Sequence, residues 1–195
     1  MSDRVIMVIS GTNRPDSNAL KISRLILGHY QAANVKVELF SLSELPQEIF
    51  DPSSYATKPP AMQAIQQRVL GAKGLHVITP EYNGSFPGVL KYFIDMLKFP
   101  ESFEERPVCF VGLGAGMWGA LRPVEQLQAI FGYRNAFVYP VRVFMPRVNS
   151  LLDDDGRITD TDVVERLREQ AIGFIDFVEH LKGVNLRKEA NEQSD

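Results

Sequence analysis

The sequence predicts an α/β fold: a doubly wound five-stranded parallel sheet in the order 2-1-3-4-5, with helices on both faces. Three observations predict it. Short apolar runs alternate with stretches of helical periodicity along the chain, most of those runs are apolar at every position, and there are five of them. With 195 residues, 45% of them hydrophobic, the chain can bury a sizeable core. One domain over residues 1–183 is expected, followed by a polar tail over 184–195.

The first strand is Val5-Ile6-Met7-Val8-Ile9, and Ser10 to Asn18 turns from it into a helix carrying Ile22, Leu25 and Ile26. Val35 to Phe40 alternates apolar and polar residues, as a strand near a wetter sheet edge does. Asp51 to Pro60 is a loop, after which Met62, Ile65 and Val69 mark a helix that ends at Gly71 or Gly74. The third strand, Leu75 to Thr79, is stopped by Pro80. Pro87 and Gly88 open a helix with Leu90, Phe93, Ile94 and Leu97 on one face. Val108 to Val111 is the fourth strand, Val124, Leu127 and Phe131 mark the next helix, and Ala136 to Tyr139 is the fifth strand. A final helix runs from about Asp162 to Lys182, with Gly183 as its stop.

In this topology ligands collect at the carboxyl ends of the strands, where the strand order reverses between the first and third. Two loops lie there, Ser10–Asn18 and Pro80–Gly88, with Gly112–Gly119 beside them. In the first, Ser10, Thr12, Ser17 and Asn18 supply donors, Arg14 a cation and the following helix its N-terminal N–H groups, a set that can enclose a phosphate. The same residues serve equally as an ordinary capped turn with Ser17 or Asn18 as N-cap. Gly114, Gly116 and Gly119 match the dinucleotide fingerprint G-x-G-x-x-G, but on the fourth strand rather than the first, and about 20 residues on stand Ala136 to Pro140 instead of an acidic residue. This loop reads better as one stripped of side chains so that a flat ligand or a neighbouring backbone can approach. Trp118 within it either stacks on a ring or covers apolar surface.

Other chemistries are disfavoured. The formal net charge of −3 is spread without blocks, which points to neither nucleic acid nor an anionic membrane. The N-terminal apolar run is too short for a signal peptide or a membrane span, so a cytoplasmic location is expected. Single Cys109 reads as a packing residue in a reducing compartment. His29, His76 and His180 are scattered, and Asp153, Asp154, Asp155 and Gly156 lack calcium-loop spacing, so no metal site is expected. The first loop has no G-K-[ST] ending for phosphoryl transfer.

The stretch Pro80-Glu81-Tyr82-Asn83, then Pro87-Gly88, Leu90-Lys91 and Ile94-Asp95, resembles the pattern of the NADPH-dependent FMN reductase family, which includes bacterial quinone, azo-dye and chromate reductases. The family's phosphate pattern Gly-Ser-x-Arg-x-x-Ser appears as Gly11-Thr12-Asn13-Arg14-Pro15-Asp16-Ser17, with Thr12 keeping the hydroxyl. The resemblance extends over roughly 4–182 and implies a flavodoxin-like fold that binds FMN non-covalently. It assigns the phosphate to Ser10, Thr12, Arg14, Ser17 and Asn18, the ring to Pro80, Glu81, Tyr82, Asn83 and Gly84, and a flanking role to Gly114 and Gly116. Asn18 directly follows Ser17, where many members have a residue between them.

The activity implied is ping-pong hydride transfer from NADPH or NADH to bound FMN and on to a quinone, azo, metal-oxyanion or flavin acceptor. No catalytic side chain is required, because a flavin carries the chemistry. A flavodoxin-like electron carrier without pyridine-nucleotide activity is the alternative; docking on cationic partners would favour a more acidic chain than −3. In the helix over 88–98, Val89, Tyr92 and Met96 form a second apolar stripe beside the first, which predicts self-association through that helix; the family resemblance implies that the assembly is a homodimer or homotetramer.

Overall fold

The computed structural model describes residues 5–153 and 155–184. Its parallel sheet comprises β1 (Val5–Ser10), β2 (Lys36–Ser41), β3 (Gly74–Pro80), β4 (Pro107–Leu113), β5 (Phe137–Val138) and β6 (Val143–Met145). The order is β2-β1-β3-β4-β5, and β6 also pairs with β4. The expected 2-1-3-4-5 winding is therefore present, and β2 lies at the edge. The helices are α1 (Asn18–Ala32), α2 (Pro60–Gly71), α3 (Gly88–Met96), α4 (Leu121–Tyr133) and α5 (Thr161–His180).

Period-two alternation in β1 divides the core. Ile6 and Val8 face a layer with Ile22, Ile26 and Tyr30 of α1 and Leu167, Ala171 and Phe174 of α5. Met7 and Ile9 face the other layer, with Met62 and Val69 of α2, Leu90 and Phe93 of α3, and Val124 and Leu127 of α4. Every residue of β3 and β4 is buried; Val108–Val111 of β4 is an unbroken apolar run, and the Leu75–Thr79 stretch of β3 is apolar except at His76 and Thr79.

Three details differ from expectation. The fifth strand does not run over Ala136–Tyr139. Phe137 and Val138 pair with the start of β4, the chain breaks step around Pro140, and Val143–Met145 rejoin β4 opposite Val111–Leu113. Pro140 has no N–H to give to a ladder, and the side chain of Gln170 on α5 fills in there, donating to the carbonyls of Phe110 and Val141 at 3.0 Å each. The last helix ends at His180, short of Lys182. The helix expected over 88–98 ends at Met96, and its second apolar stripe is largely covered from within the chain. Met96 is fully buried, while Tyr92 donates its hydroxyl to the carbonyl of Ile49 (2.6 Å) and packs against Phe50 and Tyr55. These partners come from 3-10 turns between β2 and α2, whose covering role the sequence pattern does not advertise. Of the Asp153–Gly156 turn, Asp154 lies outside the described residues, as does the tail from residue 185.

Candidate active site

The loops that follow β1, β3 and β4 meet on one rim of the sheet, where β1 lies between β2 and β3. With the segment after β6 they enclose a cavity of about 470 Å³, within the roughly 300–1,000 Å³ of sites that take small organic ligands. Arg14, Asp16, Ser17 and Asn18 line its polar end. Pro80, Tyr82, Leu113 and Val148 add apolar surface, and Pro15, Ala19, Glu81, Gly114, Ala115 and Asn149 complete the lining.

Each wall has a local cause. Asp16 turns the first loop at φ 49°, and Ser17 then caps α1, its Oγ accepting from the Leu20 N–H at 3.2 Å. The N–H groups of the first turn have no partner within the helix and, with the helix dipole, favour an anion at the polar end. Ser10 ends β1 fully buried, and its Oγ has no hydrogen-bond partner. Such an orphan hydroxyl is costly unless something else satisfies it.

The second wall is a two-residue hairpin. Tyr82 and Ser85 exchange backbone bonds of 2.8 and 3.1 Å, and Asn83 and Gly84 between them have φ of 53° and 77°, the signature of a type I′ turn that Asn-Gly favours. The third wall is the loop after β4, tied to the segment after β6. Gly114 N–H donates to Met145 O, Val148 N–H to Gly114 O and Arg147 N–H to Gly116 O, at 3.0–3.1 Å. Gly119, at φ 55°, makes this approach possible, since a Cβ there would lie 2.7 Å from Pro146 N.

The walls are linked in a closed ring around the cavity. Thr12 Oγ1 and the Tyr82 hydroxyl are 3.0 Å apart, Glu81 N–H donates to Leu113 O at 3.0 Å, and Asn18 Nδ2 donates to Asn149 Oδ1 at 3.0 Å. The bonds between the Gly114 loop and Met145–Val148 close the circuit.

Of the residues singled out from sequence, the structure brings Arg14, Ser17, Asn18, Pro80, Glu81, Tyr82 and Gly114 to the cavity surface. Ser10 and Thr12, at the start of the first loop, are buried and not part of the lining. Asn83, Gly84, Gly116 and Trp118 lie outside the lining, and Trp118 is 55% exposed. Val148 and Asn149 were not anticipated. The apolar triplet Val143-Phe144-Met145 before Pro146 was the available signal that another strand would deliver a loop to this rim.

Below the rim, a polar cluster interrupts the core. The Tyr30 hydroxyl is 2.8 Å from His76 Nδ1, and His76 Nε2 is 3.8 Å from Cys109 Sγ. Burial lowers the His76 pKa to about 3 and pushes the Tyr30 hydroxyl and Cys109 thiol up, so all three are neutral near pH 7. Cys109 is therefore a packing residue rather than a nucleophile. Among the described residues no group of three or more His, Cys, Asp or Glu could hold a metal ion, and no helix is long and apolar enough to cross a membrane.

The comparisons with known proteins agree with one another. An NAD(P)H-dependent FMN reductase of Pseudomonas aeruginosa is 28% identical over 190 residues, which cover 94% of this chain and 100% of that protein. An FMN-dependent NADPH-azoreductase of Staphylococcus aureus is 25% identical over 189 residues, covering 90% and 98%. Among solved structures, FerB, a flavoenzyme NAD(P)H:(acceptor) oxidoreductase from Paracoccus denitrificans, superimposes with a TM-score of 0.76 at 22% identity, covering 91% of this chain and 98% of that one. At that identity the likeness speaks for the fold. The model of the NADPH-dependent FMN reductase family matches residues 5–149, from the first residue of β1 to the last residue of the cavity lining. The chain belongs to the NADPH-dependent FMN reductase family.

Proposed function

We propose that this chain, an NAD(P)H-dependent FMN oxidoreductase by family, holds FMN non-covalently in the cavity between the four walls and serves NAD(P)H and an electron acceptor in turn at the same opening. One observation carries the reading: the cavity has an anion-favouring end at the start of α1 and apolar surface at the carboxyl ends of β3 and β4. The residues fit the group. The α1 N–H groups, Ser17, Asn18 and Arg14 would hold the phosphate, and the unsatisfied buried hydroxyl of Ser10 would turn toward it. Pro80, Tyr82, Leu113 and Val148 would flank the ring system.

When bound, FMN accepts hydride from NAD(P)H and returns two electrons to an acceptor. The chain's own contribution is placement. The hydrogen bonds that join the loops hold the walls to one another, and walls tied in this way have little ordering to do on binding. The exposed Met117 and Trp118, at the tip of the loop after β4, offer an apolar rim over which a planar reductant or acceptor can lie. We assign quinones, azo compounds, metal oxyanions and free flavin as the acceptor classes, and a cytoplasmic location, in keeping with the free Cys109. Self-association, as homodimer or homotetramer, is assigned to the outer side of α3 with the adjacent surface of α4, where Tyr133 is 80% exposed. A monomer at micromolar concentration in sedimentation would remove that assignment.

The purified protein is expected to be yellow, and its bound flavin to bleach rapidly on adding NADPH or NADH under nitrogen and to recover on adding a quinone. Flavin that stays oxidised with both nucleotides would leave an electron carrier instead. A colourless protein that takes up no FMN would overturn the reading altogether.

A further inference from the structure

We infer that Asn149, on the segment after β6, is a further phosphate-binding residue of the flavin site, joining the loop after β1 from a different wall of the cavity. The inference rests on the flavin reading of the cavity. The charges of the lining make neutral donors necessary there. Among the described residues Arg14 is the single cation of the lining, set against the carboxylates of Asp16 and Glu81, so its side chains carry a formal charge of −1. A phosphate at the polar end is therefore held by N–H and O–H dipoles rather than by a surplus of cations. Each neutral donor that reaches that end counts.

Backbone geometry brings Asn149 to it. Arg147 turns the chain at φ 50°, Val148 N–H donates to Gly114 O at 3.0 Å, and Val148–Ser150 form a 3-10 turn. Asn149 lies in the middle of that turn, so its place is set by the main chain and not by Asn18. Its side chain is nonetheless directed to the start of α1. There Oδ1 accepts from Nδ2 of Asn18, the first residue of the helix, at 3.0 Å, and both residues belong to the lining. A carboxamide has two N–H donors besides its oxygen. The oxygen of Asn149 is taken up by Asn18, whereas its Nδ2 protons have no acceptor among the described residues. The bond to Asn18 also polarises the amide, which strengthens those protons as donors. Asn149 thus presents two N–H groups beside the unpartnered N–H groups of the first turn of α1.

The test uses the full chain with Asn149→Ala and Asn149→Asp; Asn149 is exposed, so neither substitution disturbs the core. FMN and riboflavin are titrated into flavin-free protein by fluorescence quenching, at low and at high salt. Asn149→Ala should weaken FMN about five- to tenfold, as the loss of one bond to a charged acceptor at an exposed position, and leave riboflavin unchanged. Asn149→Asp sets a carboxylate where the amide stood. It should weaken FMN further, by a factor that shrinks as salt rises, again with riboflavin unchanged. In 15N-labelled protein the side-chain NH2 signals of Asn149, assigned by their disappearance in Asn149→Ala, should move on adding FMN or inorganic phosphate. Equal losses of FMN and riboflavin in Asn149→Ala would make the residue a contact of the ribityl chain or a brace of the wall, and would overturn the inference. Unchanged FMN affinity in both variants would do the same. A protein that takes up neither flavin refutes the proposed function; the phosphate titration then judges Asn149 by itself, and signals that stay in place would dismiss it as an anion donor.

Discussion

Replacing Gly119 by alanine is expected to remove about 2–4 kcal/mol of folding stability, and replacing Gly116 by alanine nothing measurable, although both belong to the same glycine-rich loop. At Gly119 two costs combine. Its φ of 55° is a left-handed conformation, worth about 1–2 kcal/mol against an L side chain. A Cβ there would also lie 2.7 Å from Pro146 N and 2.9 Å from both N and C of Met145, all backbone atoms that cannot rotate aside. Overpacking of this kind costs roughly 1–3 kcal/mol. The segment after β6 can yield by a few tenths of an ångström at its exposed Pro146, which trims the sum. At Gly116 no φ lies in the left-handed region and no heavy atom lies within 4 Å of the added carbon. The assay is equilibrium urea unfolding of flavin-free protein, because a bound ligand would mask the difference by mass action. For a chain of this length the loss at Gly119 should also lower Tm by about 5–15 °C. A Gly119→Ala variant within about 0.5 kcal/mol of the original, or a Gly116→Ala variant losing more than about 1 kcal/mol, would refute this view of the loop.

Three other substitutions probe the site and the core. Ser10→Ala removes a buried hydroxyl that has no partner; flavin-free protein should be as stable as before or more so, while FMN affinity falls about tenfold or more for a lost bond to a charged group, read by urea midpoint and flavin titration. Arg14→Ala should weaken FMN but not riboflavin, with the loss shrinking as salt rises, since Arg14 is exposed at the polar end of the cavity. His76 has a folded pKa of about 3 against an ordinary 6.5. Its contribution to stability is therefore complete above about pH 6.5 and drains away toward pH 3, as the unfolded chain takes up the proton first, by up to about 1.4 kcal/mol per pH unit. His76→Gln should flatten the urea midpoint between pH 6.5 and 4 by the equivalent of one proton, and an unchanged slope would contradict the burial of a neutral imidazole.

What could be read from the sequence followed from features with strict local rules. The fully buried β4 announces itself because a short run apolar at every position suits a strand covered on both faces, β3 because its run is apolar but for His76 and Thr79 and is stopped by Pro80, and Asn83-Gly84 is a turn because few residue pairs tolerate two positive φ values. Ser17 caps α1 for the same kind of reason. The parts that escaped depend on distant chain. Nothing around Tyr92 discloses that 3-10 turns some 40 residues earlier cover it. Nothing near Pro140 discloses that Gln170 stands in for the interrupted ladder, and the one local sign that Val148 and Asn149 reach the rim is the short triplet Val143-Phe144-Met145. Within the first loop, the hydroxyl-bearing residues were legible as a set, but not which of them line the cavity and which are buried.

The ring of bonds around the cavity is uneven in one respect that bears on how such a site changes over generations. Two of its links, Glu81 to Leu113 and the contacts between the Gly114 loop and Met145–Val148, are made by backbone atoms alone. Of point substitutions, only one that puts proline at a donor position erases such a bond directly, so these sides behave as an inherited frame. The other two, Thr12 to Tyr82 and Asn18 to Asn149, are made by side chains and each can be severed by a single codon change. Divergence in breadth of substrate is thus expected to accumulate at those two seams, loosening the opening on one side at a time while the sheet beneath keeps its shape.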